Sequence, residues 1–385
     1  MNILPRLHRH AWMSEEIDAF RDQVRRYVEA ELVPRLDGWR RQGYVPREVW
    51  RPFAQLGFLL PEIDERYGGG GANRAFQLVV QEELARAEVP GNTAVHNLAA
   101  HYILDYGTEK QKQRWLPKLA SGELVAGIAL TEPGCGSDLK ALRTRAQRDG
   151  DAYVIDGAKT FITNGFSANL LVVAVRTGDA GSRGVSLVVL ETEGLPGFRV
   201  GRRLEKLGQH ASDTAELFFD GVRVPADHLL GEQEGTGFQQ LMGQLPYERL
   251  LLCVTSASII ERAVELTVAY TRERKAFGQT LADFQNTRFK LAECATQAHV
   301  VRTFVNDCIQ RLLDGTLEDE AAYMAKWWCT EQQSKVLDEC LQLFGGYGYM
   351  AEYPIARLYA DSRVQRIYGG TTEIMKDLIA RRLFA

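Results

Sequence analysis

The chain has 385 residues, a formal net charge of −4 and 45% apolar residues, the balance of an ordinary globular protein too long for one small core. The slight acidic excess excludes a general attraction to nucleic acid or anionic lipid. No apolar run approaches the roughly 18 residues of a membrane span.

Residues 1–13 carry positive charge but no apolar core segment, so they do not read as a secretory signal. Six scattered cysteines (Cys135, Cys253, Cys294, Cys308, Cys329 and Cys340) form no CxxC pair. They read as reduced, mostly buried thiols of a cytoplasmic protein. No metal site is expected, since the lone pair His8 and His10 is too weak a signal.

In chain order, Ser14 followed by two acids is an N-cap, and Ile17, Phe20, Val24, Val28 and Leu32 recur at helical spacing. Further helical patterns cover 46–57, 74–88 and 92–120. The stretch ERYGGGGAN (65–73) lacks both a preceding strand and a following Lys-Ser/Thr, so it reads as a flexible connection between helices, not a phosphate loop. After Gly122 the texture turns to short β-branched runs, at YVIDGAKTFITNG, LLVVAV, VSLVVL and AELFFDGVRV. Helical patterns return over 238–273, 284–313 and 318–344, and again from Thr371. The reading is an α+β chain of three domains: helical 1–123, β-sheet or barrel 124–232, and a helical bundle 233–385.

Five segments carry chemistry: ALTEPGCGSD (129–138), KTFITNG (159–165), RKAFGQTLADFQ (274–285), LQLFGGYGYM (341–350) and IYGGTTEIM (367–375). Together, in this order and spacing, they resemble the flavin- and substrate-binding segments of the acyl-CoA dehydrogenases. The resemblance covers nearly the whole chain. It implies FAD as cofactor, a four-helix bundle as the last domain, and a homo-oligomer, usually a tetramer, in which two subunits complete each FAD site.

Residue by residue, the resemblance assigns Ile128, Ala129, Leu130, Thr131 and Gly136 to the flavin, and Ser137 to both flavin and acyl-CoA. Small residues there let backbone N–H groups approach a ligand closely. Phe161, Ile162 and Thr163 resemble the segment lying against the ring. Many relatives have Trp where this chain has Phe161, so the aromatic wall remains without an indole N–H. Arg274, Phe277 and Gln285 match positions holding the adenosine-diphosphate half, where a planar guanidinium suits pyrophosphate. Gln342, Leu343, Gly345 and Gly346 match a contact loop of the same interface, and Thr371 and Glu373 a further cofactor contact. Tyr247, Arg249, Tyr368 and Gly370 match substrate-side positions.

The base is the departure. Most relatives carry glutamate at the position of Gly369, which has no side chain to take a proton. Its backbone N–H remains available to polarise a thioester oxygen. The candidate base is Glu248 in GQLPYERLLLC, where Pro246 removes a helical hydrogen bond and is expected to kink the helix. One branch of the family, including long-chain and isovaleryl-CoA dehydrogenases, takes its base from this helix and has glycine at the usual site. A carboxylate in an apolar acyl pocket should have a raised pKa. Glu373 is the alternative acid.

The expected reaction is α,β-dehydrogenation of an acyl-CoA to a trans-2-enoyl-CoA, with electron-transferring flavoprotein as acceptor by resemblance. Three alternatives stay open from sequence: a dehydrogenase of carrier-protein thioesters, an acyl-CoA oxidase, and a non-catalytic acyl-CoA- or flavin-binding protein.

Overall fold

The computed structural model describes residues 10–179 and 181–384. His8 of the HxH pair lies outside them. The first third is helical: α1 (Glu15–Tyr27), α2 (Leu36–Gln42), α3 (Trp50–Gln55), α4 (Arg74–Arg86), α5 (Asn92–Tyr106) and α6 (Glu109–Ala120). Ser14 caps α1 by accepting from the Ile17 N–H at 3.2 Å. The run over 92–120 divides because Thr108 starts a new helix, with a reciprocal capping box to Gln111. The Gly68–Gly71 connection is packed, not loose: a Cβ on Gly69 would lie 2.0 Å from the Ile63 carbonyl oxygen.

The middle is one seven-stranded sheet of β1 (Ala126–Ala129), β2 (Arg145–Asp149), β3 (Ala152–Thr163), β4 (Leu170–Arg176), β5 (Val185–Glu191), β6 (Phe198–Arg203) and β7 (Thr214–Pro225). Its order is β1-β4-β2-β3-β7-β6, with β5 also on β4. The long pair β3–β7 is antiparallel and loses register twice, once between Lys159 and Ile162. That irregularity matters for the site.

The last third holds α7 (Gly237–Glu273), α8 (Gln285–Leu313), α9 (Asp319–Phe344), α10 (Pro354–Ser362) and α11 (Thr372–Leu383), with a two-residue ribbon, β8 (Lys275–Ala276) and β9 (Gln279–Thr280), after α7. α7 runs 37 residues straight through Pro246, so the proline does not end the helix. The long helices α7, α8 and α9 pack on one another, and the shorter α10 and α11 lie on α9.

The apolar cores cross the seams between these regions. One joins the first helices to the sheet, through Trp115, Leu170 and Leu187. Another joins Leu78 and Val79 of α4 to Val254, Val301 and Leu337 of the last helices. An ion cluster reinforces the second seam. Arg302 of α8 pairs with Glu82 of α4 and, at 2.6 Å, with Glu261 of α7, while Arg21 of α1 reaches Glu82 at 2.5 Å. Glu82 and Arg302 are both buried. The long helices also carry the 368–371 turn, through Arg249 of α7 and Lys326 of α9.

Candidate active site

Glu248 lies on α7 one residue after the buried Tyr247. Its carboxylate converges on the place that a side chain at position 369 would fill. A Cβ built on Gly369 would lie 3.5 Å from Glu248 Oε1 and 2.6 Å from Leu252 Cδ1. Residues about 120 apart in sequence thus meet at one point. Burial pushes the Glu248 carboxyl above its usual range, against the pull of the Arg249 and Lys326 charges. Burial raises the phenols of Tyr102 and Tyr368, and the nearby Glu248 charge adds to both, behind that of Asp361 at Tyr368.

The 368–371 turn is held from two sides. Arg249 Nε donates to the Gly369 carbonyl at 3.2 Å, and Lys326 Nζ donates to the Gly370 carbonyl at 2.5 Å. Both glycines have left-handed backbones, φ 62° and 90°, which L-residues adopt only at a cost. The Gly369 N–H, by contrast, donates to no described residue. A free N–H and a carboxylate of raised pKa therefore stand side by side.

Arg249 is buried, 3% exposed, with its guanidinium 4.8 Å from the centre of the Tyr323 ring. An exposed Glu248–Arg249 pair is thus excluded, and Arg249 acts on the turn. Tyr247 is committed elsewhere: its hydroxyl donates to Asn97 Oδ1 at 3.0 Å, and Asn97 donates to Glu62, which also binds His101 at 2.8 Å. Tyr368 is half-buried, and its hydroxyl meets the Gln209 side chain. Thr371 caps α11, accepting from the Ile374 N–H at 3.3 Å. Glu373 is an exposed first-turn acid of that helix. Its own backbone N–H and the Thr371 hydroxyl hold it below the usual carboxylate range, which suits it poorly as a base at neutral pH.

The sheet brings a second group. At the β3 irregularity, Phe161 takes φ 59° with its ring 68% exposed. An aromatic held in a sparsely populated backbone and turned to the surface is a mark of a ligand wall. Beside it, the Thr160 N–H donates to the Thr131 carbonyl at 2.9 Å, tying β3 to the 130–137 loop. In that loop the N–H groups of Gly134, Gly136 and Ser137 have no backbone partner among the described residues, and Gly134 and Gly136 have open space where a Cβ would stand. The hydroxyls of Thr131, Ser137 and Thr163 are likewise uncommitted among the described residues. Exposed aromatic, open backbone donors and free hydroxyls fit the flat face and polar edge of an isoalloxazine ring. Ala129 and Ile162 are buried in the sheet core, so they can meet a cofactor only through their backbones. Ile128 and Leu130 are half-buried on either side of Ala129.

Two lysines escaped the sequence reading. Lys159 is fully buried beneath the loop, donating to the Leu130 carbonyl at 3.0 Å and to Glu132 Oε1 at 2.9 Å. Glu132 in turn accepts from the Arg143 and Thr144 N–H groups. Lys326 is the other, equally buried on α9. The signal for Lys326 was a lysine at helical spacing from the small residues Ala322, Ala325 and Cys329.

The third group is remote. Arg274 ends α7 and lies 5.4 Å from the centre of the Tyr347 ring, next to Gly345 and Gly346; Phe277 is 96% exposed, and Gln285 and Gln342 are exposed, with Leu343 half-buried. At 1.5 Å rise per residue, the stretch of α7 from Glu248 to Arg274 spans about 39 Å. Among the described residues no cluster of His, Cys, Asp or Glu is placed to hold a metal, and all six cysteines are buried and free.

An exposed aromatic, an N–H free among the described residues and a half-buried carboxylate of raised pKa are the groups a flavin-dependent dehydrogenase would use. Comparison with known proteins gives the family. The acyl-CoA dehydrogenase N-terminal, middle and C-terminal domain families match residues 14–123, 127–222 and 235–384. The long-chain specific acyl-CoA dehydrogenase of Sus scrofa mitochondria is 46% identical over 375 residues, covering 96% of this chain and 87% of its own. The crystal structure of an acyl-CoA dehydrogenase from Geobacillus kaustophilus superposes with TM-score 0.95 at 46% identity, over 98% of this chain and all of the other. A glutaryl-CoA dehydrogenase from Mycobacterium smegmatis, solved in complex with FADH2, has TM-score 0.90 at 28% identity, over 96% and 95% of the two chains. A structure described as an electron transferring flavoprotein of Acidaminococcus fermentans has TM-score 0.92 at 33% identity, over 96% and 98%. The chain belongs to the acyl-CoA dehydrogenase family and is an FAD-dependent oxidoreductase.

Proposed function

We propose that Glu248 is the base that takes the α-proton of an acyl-CoA thioester, giving a trans-2-enoyl-CoA. The observation that carries this is the meeting of Glu248 Oε1 with the empty Cβ position of Gly369, beside an N–H with no acceptor among the described residues. The Gly369 N–H takes the thioester oxygen, where negative charge grows as the α-proton leaves. Arg249 and Lys326 hold the turn that carries this N–H. The pKa of Glu248, raised by burial, brings it nearer to what a base needs at neutral pH. FAD, when bound, supplies the acceptor for the hydride leaving the β-carbon. The Thr131, Ser137 and Thr163 hydroxyls and the Phe161 ring would hold its flavin end.

On the resemblance to a family whose FAD sites are completed by two subunits, we assign the remote Arg274 group, with Phe277, Gln285, Gln342, Leu343, Gly345 and Gly346, to the FAD of a second copy of the chain. A shared site needs at least two copies, and the family resemblance makes a homotetramer the working assembly. The acyl group is proposed to be a long chain, on the similarity to the long-chain specific enzyme. The electron acceptor is proposed to be an electron-transferring flavoprotein. Six buried free thiols favour a reducing compartment such as the cytoplasm, and among the described residues no helix is long and apolar enough to cross a membrane.

The test is anaerobic mixing of the FAD-loaded protein with a panel of acyl-CoAs, following flavin bleaching, with Glu248→Gln in parallel. Bleaching by wild type and none by the variant, with FAD still bound, is the expected result. Equal bleaching by both removes Glu248 from the mechanism.

A further inference from the structure

A fully buried ammonium is costly unless it is paired or closely coordinated. Lys326 is the one buried charged side chain among the described residues of α9, on a face it shares with Ala322, Ala325 and Cys329 and with the buried polar Thr330 and Gln333. Its hydrogen bond among the described residues is to the Gly370 carbonyl, and it forms no direct ion pair with any described carboxylate. A leucine or methionine would fill such a place without the penalty. What the lysine adds is one donor and one charge, both aimed at the 368–371 turn.

The turn needs them. Gly369 and Gly370 in succession leave the backbone unusually free, yet the Gly369 N–H must stay fixed to bind an oxyanion. Arg249 fixes one carbonyl and Lys326 the next. The charged and titratable groups facing Lys326 are Glu248, Arg249 and Cys253 from α7 and Glu373 from α11. Glu248 itself is faced by Arg249, Lys326, Tyr102 and Tyr368. Two cations therefore stand around the base.

We propose that Lys326 is a positioning residue for proton abstraction, clamping the Gly370 carbonyl to fix the Gly369 N–H and keeping Glu248 ionised by its charge. The proposal rests on Glu248 being the base. Burial lowers the Lys326 ammonium to about 8, so it is charged across the neutral range and loses that charge in mild alkali.

The experiment compares Lys326→Gln, which keeps a donor but not the charge, with Lys326→Met, which keeps neither, and Glu248→Gln. All are FAD-loaded, with kcat and kcat/KM measured against pH and with FAD content and thermal unfolding recorded. For Lys326→Gln the acid limb of kcat/KM should move up by about one pH unit, as loss of a nearby cation raises a carboxylate pKa. For Lys326→Met, kcat should fall at least about tenfold with KM changed little, the signature of an interaction made in the transition state. If both lysine variants keep the wild-type limb and kcat, or lose activity only in step with FAD and unfolding temperature, the role is structural and the proposal falls. If Glu248→Gln itself turns over normally, it is the base assignment that has failed.

Discussion

Gly369→Ala tests the shared point between the turn and the base most directly. The added methyl would stand 2.6 Å from Leu252 Cδ1 and 3.5 Å from Glu248 Oε1, at φ 62°. A left-handed backbone costs an L-residue about 1–2 kcal/mol. Displacing Leu252, the end of a flexible side chain, adds about 0.5–1.5 kcal/mol of rotamer strain. Together the loss of stability should be about 1.5–3.5 kcal/mol. The matching control is Gly57→Ala, with φ 74° and nothing within 4 Å of the new methyl, where only the backbone cost applies. Stability is read from equilibrium denaturation of the FAD-loaded proteins, and activity from kcat on the best acyl-CoA. Gly57→Ala should lose about half as much stability and no kcat. Gly369→Ala should lose at least about tenfold in kcat, because about 1.4 kcal/mol of misplacement at the reacting carbon is a factor of ten. A Gly369→Ala enzyme with wild-type kcat, or one no less stable than the control, would refute the geometry.

Four further outcomes follow from the same structure. Lys159→Met leaves Glu132 buried without its cation, so the protein should lose about 3–5 kcal/mol and bind FAD at least about tenfold more weakly; titration with FAD followed by fluorescence checks both loop and pair. At the α4–α8 seam, burial pushes the Glu82 carboxyl up, but the Arg21 and Arg302 charges outweigh it and bring it down to about 2. A depressed carboxylate stabilises the fold above its unfolded pKa and loses that contribution as pH falls through the folded one, so about 3 kcal/mol should disappear between about pH 4.5 and 2, and Glu82→Gln should flatten acid unfolding there. Glu248 has the opposite sign: its folded pKa lies above the unfolded one, so ionisation at neutral pH costs stability, and Glu248→Gln should unfold at a higher temperature than wild type while being inactive. Arg274→Ala should release FAD and weaken the assembly together, measured by sedimentation with and without FAD; FAD loss with the assembly intact would contradict the shared site.

Much of this protein is legible in its sequence. Helical spacing, the Ser14 cap and the β-branched runs depend on neighbours a few residues away, so the helical–β–helical order and the long helices α7, α8 and α9 can be read locally. The absence of a carboxylate at Gly369, and the presence of one at Glu248, are likewise facts of the sequence alone. Strands β2 and β6 were not legible, because RAQRD and FRVGRR bury little on either face and exist by pairing with strands far along the chain. The short α10 is held by packing on α9 and not by its own propensity.

The site was legible in its residues and not in their relations. A helix period says which residues share a face, but not what that face meets. Only the tertiary structure placed Glu248 Oε1 at the empty Cβ of Gly369, turned Arg249 inward to the Gly369 carbonyl, and committed Tyr247 to Asn97. It also brought buried Lys159 and Lys326 under the two turns they hold, since long-range packing decides which charges can be paid for by partners distant in sequence.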